Sequence, residues 1–128
     1  MGQSVHTQDA PQAIGPYSQA VISGGMVYTS GQIPLDPVSG NVVDGGIREQ
    51  TTQVLDNLKA VLAAAGSGLD KVVKTTCFLT DMSHFQEFNT VYAGYFPGKP
   101  GRSCVAVRQL PKGVLVEVEA IAEISAER

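Results

Sequence analysis

Residues 114–124 limit the fold more than any other stretch. Val114, Val116, Val118, Ala120, Ala122 and Ile124 fall on one parity, and Leu115, Glu117, Glu119, Ile121 and Glu123 on the other. Strand side chains alternate between faces, so this spacing predicts a β-strand with one face in a core and one mostly polar face. At a rise of about 3.3 Å per residue, Glu117 and Glu119 lie about 6.6 Å apart on the polar face. Just upstream, residues 101–107 also read as a strand, and the Leu110-Pro111-Lys112-Gly113 turn predicts that the two form a β-hairpin. Arg102 and Cys104 share a face of the first arm. If the hairpin pairs that face with the glutamates, an arginine and a carboxylate look into the same space.

The rest of the chain supplies the layer that such a sheet needs. Residues 17–23 and 26–32 read as strands joined by a tight turn at Ser23-Gly24-Gly25, while residues 1–12 are polar, aperiodic and read as a loose lead-in. Residues 34–46, rich in proline and glycine, read as a surface loop. From 47 to 65 the period becomes helical, with Val54, Leu55, Leu58, Val61, Leu62 and Ala65 in one stripe and Gly66 as the stop. Residues 69–80 alternate and are rich in β-branched side chains, which predicts a central strand. Ser83 and Gln86 fit a capping box, and Phe85, Phe88, Tyr92, Tyr95 and Phe96 follow as an aromatic stripe that reads as core before Pro97 ends the helix. The predicted order is ββαβαββ: a single domain over residues 1–128, an α+β two-layer sandwich with a mixed sheet and two helices on one face. The other sheet face then carries Arg102, Cys104, Glu117 and Glu119 with no cover from the same chain, which predicts a symmetric oligomer.

Composition narrows the function classes. A net charge of −3 with no cluster of lysine or arginine lacks the basic footprint of a nucleic-acid-binding domain. The hydrophobic share of 43% contains no apolar run long enough to span a membrane, and the first residues lack a signal-peptide layout, so a cytoplasmic location is expected. Two cysteines inside strand-like runs fit a reducing compartment better than a disulfide scaffold. Two distant histidines without a CxxC or HExxH pattern point to no metal site. Gly66-Ser67-Gly68 follows a helix and lacks the third glycine of a phosphate-cradling turn. Neither Cys77 nor Ser103 has a histidine patterned as its base, and His84 reads as a solvated helix residue. Arg102 with Glu117 is the best constellation left: a guanidinium can clamp a substrate carboxylate at two points while a nearby carboxylate orients a water and moves its proton. An Arg–Glu salt bridge on a sheet face is the alternative reading of the same two residues.

Five blocks carry a resemblance. Residues 13–20 (Ala-Ile-Gly-Pro-Tyr-Ser-Gln-Ala), 28–34 (Tyr-Thr-Ser-Gly-Gln-Ile-Pro), 72–76 (Val-Val-Lys-Thr-Thr), 102–105 (Arg-Ser-Cys-Val) and 110–122, with Leu110-Pro111-Lys112 and Glu117-Val118-Glu119, together resemble the Rid family, also called the YjgF family. The resemblance runs in one register from about residue 10 to residue 124 and implies a chorismate-mutase-like α+β fold assembled as a homotrimer with clefts between subunits. It is similar above all to the RidA-type members, which hydrolyse 2-enamine and 2-imine acids such as 2-aminoacrylate to 2-keto acids and ammonia. The resemblance makes Arg102 the carboxylate-binding residue, Glu117 the holder of the attacking water and Tyr17 the residue that closes the cleft. Ser30, Gly31, Asn89 and the Cys104 backbone line it, with no metal or organic cofactor implied. Lys99, Gly101 and Ala106 depart from the common pattern beside the cleft. Two other activities stay open at this point: an RNA-acting translation inhibitor of the endoribonuclease kind, and a non-catalytic trimer that binds 2-keto acids.

Overall fold

In a computed structural model the described residues are 2–125; Met1 and residues 126–128, the ends of the expected 1–128 domain, lie outside them. Six strands, β1 (Gln3–Val5), β2 (Ala20–Ser23), β3 (Met26–Thr29), β4 (Val72–Leu79), β5 (Gly101–Ala106) and β6 (Val116–Glu123), form one sheet in the order β1-β2-β3-β6-β4-β5. Two helices, α1 (Ile47–Ala64) and α2 (Phe85–Tyr95), cover one of its faces. This is the expected α+β architecture, with a mixed sheet, because β4 and β5 run parallel and every other pair antiparallel.

The alternation of residues 114–124 takes β6 to the middle of the sheet. Val116, Val118, Ala120 and Ala122 are all at most 2% exposed, and they meet Val54, Leu55, Leu58, Val61 and Leu62 of α1 in one core. A strand with a completely covered apolar face is best placed with partners on both edges, and β6 pairs β3 on one side and β4 on the other. Leu58 is fully buried beneath that sheet. Leu58→Ala should destabilise the fold by about 2–5 kcal/mol, measured by denaturant unfolding, because the surrounding helix and strands close such a cavity only in part. Side chains also tie the layers together: the Gln50 carboxamide oxygen accepts the Leu115 N–H at 2.8 Å, at the entry to β6.

The central place of β6 overturns the expected hairpin. β5 does not pair with β6 at all; β4 lies between them, and β5 is an edge strand parallel to β4, with Thr75 opposite Arg102 and Cys77 opposite Cys104. Parallel neighbours need a crossover, and α2 provides it between β4 and β5. Proximity in sequence favoured the hairpin, whereas β6 takes the eight-residue β4 as its partner on that edge.

Two smaller corrections concern chain ends and caps. The lead-in is not loose throughout, since Gln3, Ser4 and Val5 pair with Ile22, Val21 and Ala20 as β1. The expected Ser83 box does not form: Asp81 caps a short 3-10 turn over Met82–His84, its carboxylate accepting the Ser83 N–H at 2.8 Å, and α2 follows from Phe85 with no side-chain cap of its own. The expected tight turn between β2 and β3 does form, with Gly24 and Gly25 at φ of 60° and 77°, where a side chain would be strained.

Candidate active site

On the open face of the sheet, a cleft of ≈ 690 Å³ gathers Tyr17, Ser30, Gly31, Glu117 and Glu119 with Ile14 and Lys112 at its rim. Backbone bonding past the end of β3 creates it. The Ser30 N–H donates to the Gln19 carbonyl at 2.9 Å, and Gln32 exchanges bonds with Val118 at 2.8 and 3.1 Å, so residues 30–32 run beside the Glu117 end of β6. The Ser30 hydroxyl is spent on the Ser18 carbonyl at 2.6 Å, which leaves Ser30 as a wall and not a nucleophile. Gly31 is required by close approach: a Cβ built there would overlap the Glu117 carboxylate. Gly31→Ala should leave stability nearly unchanged, because the flexible end of Glu117 can swing away. It should lower any reaction that depends on that carboxylate by about a hundredfold, read as kcat/KM in the coupled assay described below.

Glu117 is half-buried, and its pKa is raised above the ordinary glutamate value, first by burial and second by the neighbouring charge of Glu119. Both causes act in the same direction, since removal from water and a like charge each disfavour the carboxylate. Tyr17 is 53% exposed at the mouth, with its hydroxyl accepting the Ile14 N–H at 3.4 Å.

Two buried amides that sequence reasoning missed hold the cleft's loops. The Gln19 side chain accepts the Thr7 N–H at 2.7 Å and donates to the carbonyls of Thr7 and Pro11 at 3.0 and 2.8 Å, so it fastens the N-terminal segment against the sheet. Asn57 of α1 donates to the carbonyls of Ile33 and Leu35 at 3.2 and 3.0 Å. A polar residue within an apolar pattern is the one signal that pointed to either, and it is shared with every solvent-facing position.

Arg102, Asn89 and Cys104 are not in this cleft. In a parallel register partners share a face, so Arg102, opposite buried Thr75, lies on the helix side of the sheet. Glu117 and Glu119, opposite Phe78 and Thr76, lie on the open side. The expectation that Arg102 and Glu117 look into one space is therefore wrong within a single copy of the chain. At the β5 edge the Arg102 guanidinium sits under α2: one terminal N–H donates to the Asn89 carboxamide oxygen at 2.7 Å, and its carbon lies 4.8 Å from the Tyr92 ring centre and 5.5 Å from that of Phe85. Among the described residues no carboxylate is bridged to it. The salt-bridge reading of Arg102 and Glu117 falls with the shared face.

The sulfur chemistry is quiet. Burial pushes the Cys77 thiol up to about 12, and burial also raises Cys104, against the opposing charge of Arg102. Both stay protonated at neutral pH, which removes the thiolate that a nucleophile needs. Among the described residues no group of three or more His, Cys, Asp or Glu side chains is placed to hold a metal ion, and no helix is long and apolar enough to cross a membrane.

One copy of the chain thus presents two separate features on opposite faces of the sheet: an acidic cleft on the open side, and at the β5 edge an arginine that no carboxylate of the described residues bridges.

Comparison with known proteins agrees in fold and in sequence. Residues 7–124 match the family described as endoribonuclease L-PSP. A RutC family protein of Pyrococcus horikoshii is 51% identical, over 95% of this chain and 98% of its own. The crystal structure of the Rid-family protein YyfA of Yersinia pestis superposes with a TM-score of 0.94 at 49% identity, over 97% of this chain and all of that one. Escherichia coli TdcF, crystallised with bound serine, gives a TM-score of 0.91 at 44% identity, over 96% and 99% of the two chains. With a family match over residues 7–124 and relatives that align along nearly their whole length, the chain belongs to the Rid family, also called the YjgF family.

Proposed function

We propose that this protein is a deaminase that hydrolyses reactive 2-enamine and 2-imine acids, such as 2-aminoacrylate and 2-iminobutanoate, to 2-keto acids and ammonia. The working cleft forms between copies of the chain in a homotrimer, with Glu117 from one copy and Arg102 from its neighbour. The observation that carries this reading is the division of the two groups between opposite faces. A half-buried, destabilised carboxylate and an arginine with no anionic partner among the described residues complement each other only across an interface. TdcF, with its bound serine, supports a family cleft that accepts a small molecule bearing an α-carboxylate.

In this mechanism the substrate carboxylate lies on the free N–H edge of the Arg102 guanidinium, which places C2 over Glu117. An enamine first takes a proton at C3 and loses one from nitrogen, which makes it the imine. Glu117 then accepts a proton from water as the oxygen bonds to C2 and the C=N π electrons move to nitrogen, and Glu117 passes that proton to the nitrogen. The carbinolamine collapses to C=O as its hydroxyl proton moves through Glu117 to nitrogen, the C–N bond breaks and ammonia leaves with its electron pair. Tyr17 closes the mouth, Ser30 and Gly31 form the wall, and the Asn89 side chain serves by holding Arg102 in place of touching substrate. No metal or organic cofactor takes part in these steps. The enzyme would work in the cytoplasm, beside the pyridoxal-phosphate enzymes that release such intermediates.

The test couples the protein to a serine or threonine dehydratase with a trapping amine present, and follows keto-acid release. Faster release in the presence of the parent protein is expected; an unchanged rate would sink the proposal. RNA cleavage is a second reading, favoured by the description of the matched family. It predicts salt-dependent RNA binding and shortening of a labelled RNA by the parent chain, neither of which the acidic net charge favours. Keto-acid binding that needs Arg102, without turnover, would instead mark a non-catalytic trimer.

A further inference from the structure

We infer that Phe85 and Tyr92 are positioning residues for Arg102, and that the hydroxyl pair of Thr75 and Tyr92 beneath them sets the plane in which the guanidinium receives a carboxylate. The inference rests on the proposed role of Arg102 as the anion clamp.

Three residues of α2 at positions 85, 89 and 92 lie on one helical face, and each holds the same guanidinium. Phe85 and Tyr92 offer ring faces at 5.5 and 4.8 Å, and Asn89 accepts one terminal N–H at 2.7 Å. A guanidinium has five N–H donors in a rigid plane, so this arrangement occupies one and leaves the others for an external acceptor. Tyr92 is itself locked. Its hydroxyl is 2.6 Å from the Thr75 hydroxyl, and its ring packs against Phe88 and Phe96 at centroid distances of 5.5 and 4.6 Å. Thr75 is also the register partner of Arg102 across the β4–β5 pair. The chain from β5 to ring to hydroxyl to β4 therefore closes on itself, and both the origin of the arginine side chain and the ring above it are anchored to the same place on the sheet. A half-buried cation held by π faces and an amide, with no counter-ion among the described residues, keeps its charge available for a ligand. A lysine could supply the charge there, but neither the planar stack nor the fork.

A clamp of this kind binds substrate and transition state alike, so its loss should appear in KM and not in kcat. Tyr92→Leu should raise the KM for the imine substrate and the Kd for the probe 2-oxobutanoate about tenfold each, with kcat falling less than about threefold. Tyr92→Phe keeps the ring and should restore binding to within about threefold of the parent, although it lowers the melting temperature by leaving Thr75 unpaired. Phe85 is only partly buried, so Phe85→Leu should fold even if Tyr92→Leu does not, with KM raised about threefold. A readout independent of turnover is the Arg102 Nε–H resonance in a proton–nitrogen spectrum. It should be displaced by the ring currents in the parent, move towards the free-arginine position in both leucine variants, and return in Tyr92→Phe. Folded leucine variants with unchanged KM and an unmoved Arg102 resonance would overturn the inference, as would a shift in melting temperature alone. If the parent neither binds 2-oxobutanoate nor turns over imines, the proposed function fails, while the Arg102 resonance still decides the positioning.

Discussion

Arg102→Ala and Glu117→Ala should each lose activity by about 10²–10⁴-fold when purified alone, and a mixture of the two, unfolded and reassembled together, should recover about a quarter of the parent's rate. The recovery follows from the faces on which the two residues lie. Arg102 is on the helix side at the β5 edge, and Glu117 is on the open side beside β3. A cleft that needs both must draw them from different copies, and random mixing puts an intact glutamate on one side and an intact arginine on the other in about one cleft in four. Different tags on the two variants would verify by mass that mixed assemblies form. Mixed assemblies that stay inactive would show that the two groups do not serve one cleft. Arg102→Ala should remain folded, since the side chain is only half-buried and its loss leaves the Asn89 carboxamide within reach of water.

The second large effect concerns Glu117 and pH. A general base must be ionised, so activity should rise with pH through the raised pKa of Glu117, with its acid limb above the ordinary glutamate range. Glu119→Gln removes the second cause of that rise and should move the limb to lower pH, leaving the shift due to burial. Glu117→Gln should lower kcat by about 10²–10⁴-fold at every pH. Stability should move the other way. The folded-state pKa lies above the unfolded one, so the carboxylate opposes folding at pH values above both, and that penalty disappears as pH falls through the folded value. Glu117→Gln should therefore stabilise the protein at pH 7.5 more than at pH 4, measured by denaturant unfolding at the two pH values. An acid limb that Glu119→Gln fails to move would separate Glu119 from the chemistry of its neighbour.

How much of this could be read from the sequence differs between the Glu117 cleft and the Arg102 edge. The Glu117 half was legible because it is built from local periodicity. Alternation in residues 114–124 assigned Glu117 and Glu119 to the uncovered face. The Arg102 half was legible in residue type but not in direction. Alternation placed Arg102 and Cys104 on a common face of β5 and could not say which face of the sheet that was. The aromatic stripe of α2 had the same limit: its period identified core, and Phe88, Tyr92 and Phe96 are core, yet Tyr92 also serves as the surface on which the guanidinium rests.

The sequence by itself determined every element but β1, the helical and strand periods, which face of β6 is buried, and the identity of the residues able to do chemistry. All of these depend on neighbours within a few positions, where side-chain direction follows from backbone geometry. Only the tertiary structure decided strand order and register. Those depend on which distant segment best completes the core, and a shift of one residue exchanges the two faces of a strand. The choice of β4 over β6 as the partner of β5 turned Arg102 under α2 and away from Glu117, so the apparent pair is divided between two faces of the sheet and the proposed cleft has to draw it from different copies.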